Sequence, residues 1–202
     1  MAVSEVQIAK LALQHLGDRY DITSLSESSA EAEQVNLVFG NLRDKLLRSH
    51  PWKFATAYAK PSALVGTPPA QWSYMFTYPS NALKVWRIVN PMDPRGDTLE
   101  PLPFTVARNT NDVKVLLSDE GEPEFEYAAA ITDTARFDTS FDIALSWSIA
   151  EHIALPITGD LGIRNAMRAE AAAQANAAKT EDANEGYTRK VTRDPDWIIA
   201  RS

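Results

Sequence analysis

The hydrophobic period of this chain changes twice, at Pro51 and again near Asp138, and those two changes limit what it can fold into. Before Pro51 the apolar residues recur at helical spacing. Val6, Leu13 and Leu16, with Leu11 beside them, form one stripe; Val35, Val38, Phe39, Leu42, Leu46 and Leu47 form a second. Ser4-Glu5-Val6-Gln7 reads as a capping box and Gly17 suits the far end of that first helix. A polar loop anchored by Leu25 leads to Ser28-Ser29-Ala30-Glu31, which reads as a second capping box. Pro51 ends the second helix and pushes His50 out of the helical region.

From Trp52 to about Ile131 the chain is rich in aromatic and β-branched residues and in proline, with little helical periodicity. WKFATAYA, SYMFTY, ALKVWRIVN, TVAR, VKVLLS and FEYAAAI read as strands. Pro79-Ser80-Asn81 breaks the second from the third, and Asn109-Thr110-Asn111-Asp112 has the chemistry of a hairpin loop. Together they predict one small antiparallel sheet inserted between helices. Helix returns at FDTSFDIALSWSIAEHIALPIT, where Ile143, Trp147, Ala150 and Ala154 share a face widened by Phe141, Leu145 and Ile149, and Pro156 is the expected stop. Asn165 to Tyr187 then reads as an alanine-rich helix with nine alanines between Ala166 and Ala183. It has no large apolar stripe, so it must pack closely on other helices or on a copy of itself. The tail VTRDPDWIIARS breaks at Asp194-Pro195 and carries Trp197, Ile198 and Ile199 beside Arg201. Bulky apolar groups there seek cover, either on the chain's own core or, as favoured here, on a partner.

The expected fold is therefore α+β: mainly an α-helical bundle of about four helices carrying an inserted small antiparallel β-rich subdomain. The bundle is discontinuous, residues 1–51 and 132–190; the β-rich insert is 52–131; the C-terminal tail is 191–202. At 202 residues the chain can bury one good core.

Chemistry is sparse. With no cysteine there is no disulfide scaffold, zinc ribbon or thiol nucleophile. The phosphate-loop, dinucleotide and nucleophile-elbow patterns are absent from the sequence, and His15, His50 and His152 lack metal-ligand spacing. No catalytic residue, cofactor or metal is expected. A formal charge of −7 argues against tight wrapping of nucleic acid, though not against a channel through which DNA slides. The N-terminal stretch reads as neither signal peptide nor membrane anchor, which points to synthesis in the cytoplasm. The acidic run Asp119, Glu120, Glu122, Glu124, Glu126 is the best enzyme candidate, since paired carboxylates cleave glycosidic bonds. A solvated sheet face or a charged protective edge is the favoured reading of it. Arg43, Lys45 and Arg48 read as the polar face of the second helix, the last two complementing its dipole.

The ordered set of segments carries a resemblance. Two capped helices end in LLRSHPWKFA; an aromatic-proline stretch PAQWSYMFTYPSNALKVWRIVN follows; then come FDIALSWSIAEHIALPIT, the alanine-rich helix and WIIARS. The most telling pieces are His50 to Ala55, the Trp72/Tyr74/Tyr78-Pro79 cluster followed by Leu83, and Leu155-Pro156-Ile157-Thr158. In this order, over nearly the whole chain, they resemble the tail tubular protein A family, the head-to-tail adaptors of short-tailed bacteriophages. Residues 90 to 131 match no motif of it.

The resemblance implies a structural protein of the virion, at the head–tail interface. Such proteins form a ring of identical subunits, twelve-fold where the family is best known, between the portal and the tail nozzle. The genome passes through the lumen without sequence-specific binding, and no membrane is involved. The helical part and the C-terminal tail would meet the portal, making Trp197, Ile198, Ile199 and Arg201 portal-contact candidates. Trp72, Tyr74 and Tyr78, as amphipathic anchors, and Ala169, Ala173 and Ala177, as points of close approach, are the subunit-interface candidates. Trp52 and Phe54 are expected to plug the junction of bundle and sheet.

Overall fold

The computed structural model describes residues 3–17, 21–93 and 100–186; the portal-contact candidates Trp197, Ile198, Ile199 and Arg201 lie outside them. The chain runs α1 (Glu5–Gln14), α2 (Ala30–Leu47), β1 (Thr56–Ala59), β2 (Tyr74–Thr77), β3 (Ala82–Val89), β4 (Phe104–Arg108), β5 (Lys114–Ser118) and β6 (Glu124–Ala129). A short 3-10 turn, Thr134–Arg136, precedes α3 (Thr139–Thr158) and α4 (Leu161–Asn184).

Local chemistry explains the helix ends. Ser4 Oγ accepts from Gln7 N–H at 3.2 Å while Gln7 Oε1 accepts from Ser4 N–H at 2.8 Å, the reciprocal box expected. The start of α2 differs by one residue from the sequence expectation. Ser29, not Ser28, is the N-cap and accepts from Ala32 N–H. Glu31 does not close a box; Glu27 braces the loop instead, accepting from Thr23 Oγ1 and N–H at 2.7 Å and from Ser29 Oγ at 2.8 Å. Those bonds, the Thr23 hydroxyl foremost, pull the Glu27 carboxyl down to about 2. Pro156 does not stop α3. It lies inside the last turn, and the helix runs on to Thr158 before Gly159, whose left-handed φ of 70° closes the cap.

The six strands form two three-stranded antiparallel sheets, ordered β1-β6-β3 and β2-β5-β4. They face each other through aromatic rings: Phe125 of β6 meets Phe76 of β2 and Phe104 of β4 edge-on, at 6.2 and 5.8 Å between centroids. The expectation of a mainly helical bundle with one small inserted sheet is therefore overturned; the protein is α+β, four helices and two sheets. The apolar layer between the sheets runs unbroken into the helical core, from Ile8 and Leu13 through Trp52, Leu116 and Phe125 to Leu145 and Ile153. The sheets share that core instead of hanging from a bundle. Strand neighbours in sequence misled the reading, because β2 and β3, separated by one turn, belong to different sheets.

The helices pack on α3, which touches α1, α2 and α4. Its buried residues include Phe141, Ala144, Leu145, Ile149, Ala150, Ile153 and Ala154, so the inward face centres on Leu145 and Ile149. Ile143, expected on that face, is exposed. Alanine lets α4 lie close: Ala171 and Ala178 are buried, with Ile163, Met167 and Ala175 packed against the core. Alone α4 would be marginal, and this contact is what stabilises it.

Candidate functional site

The stretch after Pro51 builds the junction of helices and sheets. Trp52 is 1% exposed, and its Nε1–H donates to Leu46 O at 2.9 Å, a carbonyl at the end of α2 that also accepts from Ser49 N–H and Oγ. Its ring meets Phe141 edge-on at 5.1 Å; Phe54 lies 5.1 Å from Phe141 and 6.0 Å from Phe137. Ala55 O accepts from Ala129 N–H at 2.8 Å, tying this turn to β6. The Trp52 and Phe54 side chains thus occupy the seam between α2, α3 and the first sheet.

A polar clasp beside that seam was not foreseen. Asp182, in the last turn of α4, is 3% exposed. Its Oδ2 lies 2.9 Å from His50 Nε2, and its Oδ1 accepts from Lys53 N–H at 2.9 Å. The Lys53 ammonium donates to the carbonyls of Asp182 and Ala183. A carboxylate near a helix C-terminus opposes the dipole, and a cation capping the last carbonyls offsets this. The residues flanking Trp52 therefore hold down the far end of α4, some 130 positions away. Proximity in sequence offered no signal of it.

The remaining histidines are also held within the fold. His15 stacks on Trp147 with centroids 3.6 Å apart, and its Nε2 lies 3.1 Å from Ser146 Oγ. Burial lowers its pKa. Ser146 is 1% exposed, so its hydroxyl faces no substrate. His152 is exposed, with Nδ1 2.9 Å from Ser148 O. Among the described residues no group of three or more His, Cys, Asp or Glu side chains could hold a metal ion.

The acidic run divides. Asp119 accepts from Ser73 N–H and Oγ at 2.9 Å, and Glu120 and Glu122 are exposed at the β5–β6 turn. Glu126 is buried and takes Arg87 Nε–H at 2.8 Å. Burial is what pushes a carboxyl toward general-acid work, and of the five only Glu126 has it, with a guanidinium already on its oxygen. The protective-edge reading fails as well, since β6 is the central strand of its sheet. Tyr58, opposite Glu126, has its pKa raised by burial and then by that carboxylate.

The subunit-interface candidates are spread over two surfaces. Tyr74 is 43% exposed, its ring 3.6 Å from where a β-carbon on Gly121 would stand. Trp72 and Tyr78 are half-buried, and the Lys114 ammonium lies 3.6 Å from the centre of the Tyr78 ring. Ala169, Ala173 and Ala177 are all exposed on α4, Ala177 at the edge of a small cleft shared with the start of α3. Trp86, which the sequence reading passed over, lies under Lys84 at 3.8 Å.

Between α2 and α4, over α3, runs a groove of about 340 Å³. Leu42, Leu46, Ala171 and Ala175 give it apolar walls, and Lys45, His152, Arg168 and Lys179 line it as well. Among the described residues Arg168 has one ion pair, with Glu151 at 4.0 Å; Lys45 and Lys179 have neither ion pair nor hydrogen bond. None of the described helices is long and apolar enough to cross a membrane. No protein-family model matches the chain, and no curated protein matches it.

Proposed function

We propose that this chain is a structural adaptor of a short-tailed bacteriophage. It assembles with its own copies into a ring between portal and tail nozzle, and the genome passes through the lumen. The resemblance to the tail tubular protein A family carries the identity of the partners. The observation that favours assembly is the outer face of α4. Ala169, Ala173 and Ala177 recur there every fourth residue, exposed on a helix that packs on α3 through Ala171 and Ala178. A helix backbone so thinly covered admits another chain at close range. The described histidines and the buried Glu126 are each taken up by contacts inside the fold, which suits a protein whose work is done by surfaces.

Electron microscopy of the purified protein, alone and mixed with its portal protein, tests the reading. Closed rings, or decoration of the portal by this chain, are expected. A monomer that ignores the portal at every concentration and salt overturns it.

A further inference from the structure

The groove between α2 and α4 concentrates positive charge on a chain whose formal balance is −7. Lys45 and Lys179 contribute ammonium groups that nothing among the described residues pairs with, and Arg168 is held only loosely by Glu151. Its walls of leucine and alanine are apolar. An occupant must therefore bring acidic groups to the rim and something apolar or aromatic to the floor.

This chain presents such an element between its fifth and sixth strands. The β5–β6 turn exposes Glu120 and Glu122, whose carboxylates have no partner among the described residues. The exposed Tyr74 ring lies against Gly121 between them. Asp119 fixes the base of the turn through Ser73. The turn is thus a braced projection of two carboxylates beside one amphipathic ring.

We propose that the groove of one copy receives the acidic β5–β6 turn of the next, with Glu120 and Glu122 against Lys45 and Lys179 and the Tyr74 ring over the alanine floor. The contact joins two different patches, so successive copies add by rotation, the requirement for a closed ring. It rests on the ring reading above and names the surfaces that make it. Opposite charges on groove and turn also set which patch meets which, since like-charge pairings are penalised.

The absence of native cysteine makes the test direct. Protein carrying Lys179→Cys and separately tagged protein carrying Glu122→Cys are mixed, allowed to assemble with and without portal, and treated with a short bismaleimide. The expected product is a dimer between the two variants, in excess of either homotypic dimer. Reversing the groove (Lys45→Glu with Lys179→Glu) or the turn (Glu120→Lys with Glu122→Lys) is expected to raise the assembly midpoint at least about tenfold. A chain carrying all four reversals should recover. Rings that form but yield only homotypic cross-links, or whose midpoint ignores the reversals, overturn this contact and leave the ring reading standing. Failure to form any oligomer, with or without portal, overturns both. If the groove reversal leaves assembly intact and abolishes retention on duplex DNA, the groove serves nucleic acid and the inference falls.

Discussion

Asp142, the fourth residue of α3, is 4% exposed, and its Oδ1 has no hydrogen-bond partner. Burial, and after it the charge of Asp138 one turn earlier, raises its pKa from 3.8 to about 7. The folded state therefore holds this proton more tightly than the unfolded chain does. Stability from the protonated form is fully present below pH 3.8 and is lost as pH rises through 7. The helix N-terminus favours the charged form by about 0.3–1 kcal/mol, too little to reverse the shift. At about 1.36 kcal/mol per pKa unit the whole effect is about 4 kcal/mol, of which about 2.5 kcal/mol falls between pH 5 and pH 8. Asp142→Asn removes the titration while keeping the shape. Any cost of the amide itself does not depend on pH, so it cancels when the two proteins are compared at both pH values. So does the opposite trend from His15, whose lowered pKa weakens the fold as pH falls. Urea unfolding of both proteins at pH 5 and pH 8 should show the variant gaining about 2.5 kcal/mol on the wild type, equivalent to about 5–10 °C in Tm for a chain of this size. A gap that changes by less than about 1 kcal/mol refutes the assignment of a buried, unpartnered carboxyl.

Four further outcomes follow from particular contacts. Trp52→Ala should cost about 3–5 kcal/mol in urea unfolding, because a large ring and a hydrogen bond to Leu46 O both go; a loss under about 1 kcal/mol would remove Trp52 from the seam. Gly159→Ala forces a β-carbon onto a φ of 70° and should cost about 1–2 kcal/mol, measured the same way. Lys53→Met should speed amide exchange in the last turn of α4, residues 181 to 184, by releasing the carbonyls of Asp182 and Ala183; unchanged exchange would mean that the ammonium caps nothing. Ala173→Leu should leave unfolding within about 0.5 kcal/mol of wild type, since the position is exposed, yet block ring formation seen by microscopy. Normal rings from that variant would put the α4 outer face elsewhere than at a subunit contact.

What the sequence made legible was local, and what it hid was non-local. The Ser4–Gln7 box involves residues three apart, and the α2 stripe from Val35 to Leu47 is one helix reporting its own buried side; both are found where the pattern puts them. The hairpin through Asn109 is of the same kind, its Oδ1 accepting from Asn111 and Val113. On α3 the pattern loses its direction, because a hub helix packed by three others is apolar nearly all round, and a stripe through Ile143 looks as good as one through Leu145. Strand alternation marks each strand without saying which neighbour it takes, so six strands read as one small sheet when β2 and β3, one turn apart, belong to different sheets. Charges depend most on distant partners. Glu126 looked solvated beside Glu122 and Glu124 until Arg87, on another strand, was found on its carboxylate. His50 and Lys53 follow the end of α2, and nothing near them in sequence points to Asp182, whose carboxylate lies between them. The same logic bears on the groove. Lys45 on α2 and Lys179 on α4, far apart in the chain, line one cleft with Arg168 and Glu151, and neither lysine makes an ion pair among the described residues. Elsewhere the cations Lys53 and Arg87 are engaged within the fold; an acidic surface of another molecule would meet Lys45 and Lys179 together in one cleft.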